Sequence, residues 1–118
     1  MDTATPIDTV MDVLPTEVMA EHAEAASALM KALSSPHRLM VLCTLVNGER
    51  SVGELGEIVP LSQSALSQHL ARLRNDGLVA TRRESQTIFY RIDNPAVEKV
   101  MATLYDIYCA APVAGNSQ

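Results

Sequence analysis

The chain has 118 residues, enough for one small domain with loose ends. Hydrophobic residues make up 47% of it, yet no apolar run approaches the roughly 20 residues of a spanning helix, so a helical membrane protein is excluded. The net charge of −5 disfavours indiscriminate binding to phosphate, but residues 61–92 hold five arginines against two acids, a local +3 set against −8 in the rest of the chain.

Residues 1–15 mix acids, threonines and prolines without periodicity and are expected to be loose; they also lack the basic-then-apolar layout of a secretory signal, which implies a cytoplasmic protein. Thr16 is expected to cap a helix from Glu17 to about Leu33, with Val18, His22, Ala25, Leu29 and Leu33 on one face. Ser34-Ser35-Pro36 stops that helix and starts a second, with Ser35 as its cap. Its buried stripe is expected to be Leu39, Leu42, Cys43 and Val46, and Asn47-Gly48 ends it. Ser51 caps a short third helix, Val52–Ile58, and Glu54 stands at capping-box spacing.

Ser62 caps a fourth helix that runs to about Asn75. Leu66, Leu70 and Leu73 fall on one side of it, and Ser64, Ser67, Gln68, Ala71, Arg72 and Asn75 on the other. Gly77 provides a left-handed stop. Two strands, Val79–Arg83 and Thr87–Ile92, flank Glu84-Ser85-Gln86. Asp93-Asn94-Pro95 opens the last helix, whose apolar face is Val97, Val100, Met101, Leu104, Ile107 and Tyr108. The tail 110–118 is small and polar. The sequence therefore predicts a mainly α fold with a small β-hairpin: a winged helix-turn-helix of about five helices and a two-stranded wing. Its single domain, 16–109, lies between flexible ends.

A short helix, a turn and a second helix place the second helix in a DNA major groove. Reading base edges requires short hydrogen-bonding side chains, and phosphate or guanine requires arginine. Ser62, Gln63, Ser64, Ser67, Gln68 and Arg72 meet that need, while Arg82, Arg83 and Gln86 at the hairpin suit the backbone or minor groove. His69 borders the apolar side, where packing and a phosphate contact are equal readings. His37, just inside a helix start, reads as a surface residue. The last helix has more apolar surface than a winged core covers, so a symmetric partner is expected to cover it at Val97, Met101, Leu104 and Tyr108.

From Ala32 to Ile92 the chain resembles the winged-helix repressors of the arsenic-repressor (ArsR/SmtB) family. The stretches ALSSPHRLMVLCTL, SVGEL and SQSALSQHLARLRNDGLVATRRESQTIFYRI carry the likeness. The resemblance implies a homodimer built from the first and last helices, with Val18, His22, Ala25 and Leu29 of the first at the interface, on an imperfectly palindromic double-stranded operator, released by an inducer. The wing tip Glu84-Ser85-Gln86 departs from the family in lacking the glycine often found there. The family's usual metal sites need paired cysteines near SVGEL, or Asp and His on the last helix, and these are missing; His22, His37 and His69 show no ligand spacing. No metal or other cofactor is therefore expected, with haem at His22 as a minor alternative.

The remaining chemistry lies in Cys43 and Cys109. They stand in RLMVLCTL and LYDIYC, as in the persulfide-sensing SqrR/BigR branch of the family. That likeness implies a cytoplasmic repressor of sulfide-detoxification genes that releases DNA when a persulfide or polysulfide inducer links the two thiols. An ordinary disulfide would need Cα atoms within about 7 Å. Alternatives remain: a sensor of peroxide or other oxidants through a disulfide, a metal- or haem-responsive repressor, or a dimeric thiol redox enzyme. No phosphate loop, triad ordering or CxxC favours an enzyme.

Overall fold

The computed structural model describes residues 15–110, and its packing separates Met1–Leu33 from Ser34–Gln118. The segments expected to be loose, 1–15 and 110–118, lie outside the described residues except for Pro15 and the backbone of Ala110. The first unit contains helix α1, Thr16–Leu33. It begins one residue earlier than expected: the Pro15 carbonyl accepts from the Met19 amide at 3.0 Å, which puts Thr16 inside the helix. Along the expected apolar stripe Val18 and Leu29 are half-buried, while His22 and Ala25 are exposed.

The second unit opens with α2, Pro36–Leu45. The Ser35 hydroxyl accepts from the Arg38 amide at 3.2 Å, and Pro36 occupies the turn where an amide has no helical partner. A two-residue strand, β1 (Arg50–Ser51), leads into α3, Val52–Ile58. There the Ser51 amide donates to Glu54 Oε1 at 2.9 Å and the Glu54 amide donates to Ser51 Oγ at 3.1 Å, closing the capping box.

Ser62 caps α4, Gln63–Asn75, through the Ala65 amide at 3.1 Å. The helix stops in a Schellman arrangement: Gly77 at φ +79° donates to the Arg74 carbonyl at 3.0 Å, and Leu78 donates to Leu73 at 2.9 Å. Leu73 and Leu78 are both buried, so the stop is fastened by packing as well.

β2 (Val79–Glu84) and β3 (Thr87–Ile92) then form the wing. Glu84 pairs with Thr87, leaving Ser85 and Gln86 as the turn. Ser85 takes φ +57° in the glycine-free tip, at the turn position that glycine usually fills. β1 adds to the other side of β3, with Arg50 opposite Tyr90 and Ser51 opposite Phe89. The expected two-stranded wing is therefore a three-stranded sheet, β1-β3-β2; two residues are too few to display alternation. Helix α5, Pro95–Tyr105, follows Asn94 and continues as a π-helical turn, Asp106–Ala110.

The core of this unit joins Val41, Leu42 and Leu45 of α2 to Leu55, to the α4 leucines 66, 70 and 73, and to Val97 and Met101 of α5. Two expectations change. Val97 and Met101 are buried at 0% and 4% exposure, so they pack inside their own chain and are unavailable to a partner. On α2 the buried stripe is Val41–Leu42–Leu45, while Leu39 is half-buried and Cys43 and Val46 are exposed. Almost every position from Leu39 to Val46 is apolar, so spacing alone could not fix which side of the helix faces the core.

Candidate nucleic-acid interface and thiol cleft

Helix α4 separates its faces cleanly. Leu66, Leu70 and Leu73 are buried, which leaves Ser62, Gln63, Ser64, Ser67, Gln68, Ala71, Arg72 and Asn75 exposed. This is the polar, hydrogen-bonding face expected of a groove-reading helix. Arg72 Nε donates to Asp76 Oδ2 at 2.9 Å, one turn further on, an exposed pair that holds the guanidinium along the helix.

The two wing arginines differ. Arg83 is exposed and pairs with none of the described residues, and Gln86 is exposed beside it. Arg82 is held: its Nε lies 2.9 Å from both Glu49 carboxylate oxygens, its Nη1 is 3.1 Å from Glu84, and its guanidinium stacks 4.5 Å above the Phe89 ring. The hydrogen bonds it donates, to Glu49 first and Glu84 second, raise its pKa. Arg82 therefore ties the loop before β1 to the sheet, and Arg83 is the freer cation of the two. Glu49 and Arg82 stand 33 positions apart, a pairing no local spacing signals.

His69 is half-buried and faces α2. Arg38 Nη1 donates to its Nδ1 at 3.3 Å, which requires a neutral imidazole with its proton on Nε2. The His37 ring lies 6.0 Å away, centre to centre. Burial lowers the His69 pKa most, followed by the charges of Arg38 and His37. Of the two readings open for His69, contact with α2 accounts for its position, and His37 is half-buried against it rather than a simple surface residue.

The far end of α4 is tied to α5. Asn94 Oδ1 accepts from the Ala96 and Val97 amides at 2.9 and 3.2 Å, and Asn94 Nδ2 donates to the Gly77 carbonyl at 3.3 Å. One side chain thus caps α5 and holds the stop of α4.

Both cysteines are free and exposed, and both line one cleft of about 700 Å³. Leu39, Cys43 and Val46, at positions i, i+4 and i+7 of α2 and its extension, form one wall, with Asn47 at the edge. Met101, Leu104 and Tyr105 of α5 form the other, and Tyr108 and Cys109 reach it from the π-helical turn. Of the stripe expected in the core, Leu42 is buried there, while Leu39, Cys43 and Val46 border the cleft. Among the described residues no three of His, Cys, Asp and Glu gather to hold a metal ion, and no helix is long and apolar enough to cross a membrane.

Residues 35–81 match the family described as bacterial regulatory protein, arsR family. The biofilm growth-associated repressor of Agrobacterium fabrum is 42% identical over 112 residues, covering 93% of this chain and 96% of the relative. The structure of reduced HlyU from Vibrio cholerae superposes with a TM-score of 0.76 at 47% identity, covering 79% and 98% of the two chains. The transcriptional repressor BigR from Xylella fastidiosa gives 0.73 at 45% identity, covering 81% and 95%. With the reading helix, the wing and these relatives together, the chain belongs to the ArsR family of winged-helix, DNA-binding transcriptional regulators, which are not enzymes.

Proposed function

We propose that this protein is a homodimeric repressor that releases a palindromic operator when reactive sulfur links Cys43 to Cys109. The observation that carries the reading is the shared cleft: two free, exposed thiols from distant parts of the chain border one cavity. A relative named in its reduced form, HlyU, and another named as a repressor, BigR, are in keeping with it.

The chemistry needs no outside oxidant. Each thiolate attacks the terminal sulfur of a hydropersulfide, R–S–SH, breaking its S–S bond; R–S⁻ leaves and a protein persulfide remains. The terminal sulfur of one protein persulfide then attacks the inner sulfur of the other and expels hydrosulfide. A Cys43–S–S–S–Cys109 bridge results. In a reducing cytosol the resting thiols would stay free and DNA-competent.

Transmission follows from what each wall of the cleft holds. The α2 wall is tied to the middle of α4 through Arg38 and His69, and the α5 wall to its end through Asn94 and Gly77. Drawing the walls together shifts α4 at both attachments and spoils the spacing of two reading helices, set about 34 Å apart on one face of DNA. The second copy would cover the half-buried or exposed residues Val18, His22, Ala25 and Leu29 of α1 and Leu104 and Tyr108 near the C-terminal end. At 73% exposure Tyr108 has the most apolar area left to bury. On DNA, Ser62, Gln63, Ser64, Ser67, Gln68 and Arg72 would meet base edges and phosphates, with Arg83 and Gln86 on the adjacent backbone. The regulated genes would be those of sulfide detoxification.

The test is operator affinity, by fluorescence anisotropy with DNA from upstream of the protein's own gene, for reduced, peroxide-treated and hydropersulfide-treated protein. Hydropersulfide should weaken binding about 5- to 150-fold, the usual range of allosteric coupling, and mass spectrometry should show a bridge with added sulfur. Cys43→Ser and Cys109→Ser should stay bound. Release by treated Cys43→Ser rules the reading out. Equal release by peroxide through a plain disulfide makes the protein a general oxidant sensor instead.

A further inference from the structure

The cleft that holds the cysteines carries information about what delivers the sulfur, and the inference drawn from it rests on the sulfur-bridging reading above. None of its nine lining residues is Lys, Arg, His, Asp or Glu. Apart from the thiols the wall is aliphatic or aromatic, with one amide, Asn47, and two phenols, Tyr105 and Tyr108, as its polar groups. About 700 Å³ is the volume of an ordinary small-molecule site, and such sites take ligands whose polarity matches their walls.

A charged carrier meets an unfavourable balance here. A carboxylate entering the cleft gives up part of its hydration and finds no cation among the lining residues to replace it. The chain's net charge of −5 adds no long-range attraction for an anion. An apolar carrier gives up no charge hydration on entry and gains contact with Leu39, Val46 and Met101.

We infer that the cleft takes an uncharged organic polysulfane, R–S–S–S–R with apolar R groups, as its sulfur donor, in preference to anionic carriers. The reaction is balanced with that donor alone. One cysteine thiolate attacks the central sulfur, breaks one S–S bond and expels R–S⁻, leaving Cys–S–S–S–R. The second thiolate attacks the sulfur that was central, expels the other R–S⁻ and closes Cys43–S–S–S–Cys109. Two protein thiols and one trisulfane give one bridged protein and two R–SH. The donor is reduced, and both thiol protons leave on the released thiols.

A matched pair of donors isolates the claim: diethyl trisulfide and bis(2-carboxyethyl) trisulfide share the reacting S–S–S chain and differ in charge. Each would be reacted with the full-length reduced protein, and the rate of bridge formation read by mass spectrometry as gain of one sulfur and loss of two hydrogens. Dividing by the rate with a small free thiol removes intrinsic reactivity. The uncharged donor should be faster by about tenfold or more, an order-of-magnitude expectation from the cost of burying an unpaired carboxylate. Val46→Lys, at a position 47% exposed, should keep its thermal transition and raise the dicarboxylate rate several-fold. Equal normalised rates, a faster dicarboxylate, or no bridging by either trisulfide while a hydropersulfide does bridge each overturns the inference and leaves the sulfur switch standing. Failure of every donor overturns both.

Discussion

Helices α2 and α4 pack against each other in one unit but distribute their apolar residues differently. On α4 every large apolar side chain is buried and the opposite face is polar and exposed. On α2 apolar residues run almost without break from Leu39 to Val46, and the core takes only Val41, Leu42 and Leu45. A helix with one apolar stripe presents a solvent face that can read DNA. A helix with more apolar residues than its core uses presents a second surface, and here that surface borders the cleft with the two thiols.

The difference between the two stripes of α2 can be broken by mutation, and this is the largest effect expected. Leu42→Ala removes a side chain with no exposure and should cost about 2–5 kcal/mol in chemical denaturation, transfer and cavity terms together. Val46→Ala, from a residue already half in water, should cost less than about 1 kcal/mol. Similar losses at the two positions would mean that the cleft stripe is core after all.

The polar face of α4 is sharpened against the wing. Gln68→Ala should weaken operator binding by about 1–3 kcal/mol and relax sequence preference at one base pair, with the salt dependence unchanged. Arg83→Ala should weaken all sequences alike and lower the salt slope by about one, because it removes a phosphate contact. Arg82→Ala differs again: its partners Glu49 and Glu84 lose their cation, so wing stability should fall along with affinity. If Gln68→Ala behaves like Arg83→Ala, α4 is a phosphate-binding helix rather than a reading one.

What was legible in the sequence follows from the range of each interaction. The caps at Ser35, Ser51 and Ser62 and the stop at Gly77 depend on residues within a few positions, and each was readable from spacing. The reading face of α4 was readable because its polar and apolar residues separate at helical period. The phase of α2 was not, because an all-apolar run has no preferred side. The Arg82–Glu49 pair, strand β1 and the Arg38–His69 contact, which spans 31 positions, all join parts of the chain that only the folded topology brings together. The pairing of Cys43 and Cys109 was suggested by family likeness alone, since nothing local relates residues 66 positions apart.

The joints at the two ends of α4 give smaller effects. Gly77→Ala puts a β-carbon on a residue at φ +79°, which costs about 1–2 kcal/mol for a left-handed conformation. Because nothing lies within 4 Å of the added carbon, the loss should appear in stability rather than as a packing clash. Loss of cooperativity between α4 and the wing in hydrogen exchange would locate it at this stop.

The smallest effect expected tests the other joint. Folding lowers the His69 pKa, through burial first and then through Arg38 and His37, so as pH falls the unfolded chain takes up this proton before the folded one does. The His69 contribution is therefore constant above the ordinary histidine value of about 6.5. It turns against the folded state as pH drops from there toward the lowered folded value, and it is flat again below that. Protonation also removes the acceptor that Arg38 uses, because an imidazolium has no lone pair to offer. His69→Gln keeps an acceptor within reach of Arg38 but does not titrate. The thermal transition of the wild type should fall more steeply between pH 7 and pH 5 than that of His69→Gln. Parallel pH profiles would show that the α2–α4 joint does not depend on the charge state of His69, and would leave Asn94 and the shared core as the mechanical links to the reading helix.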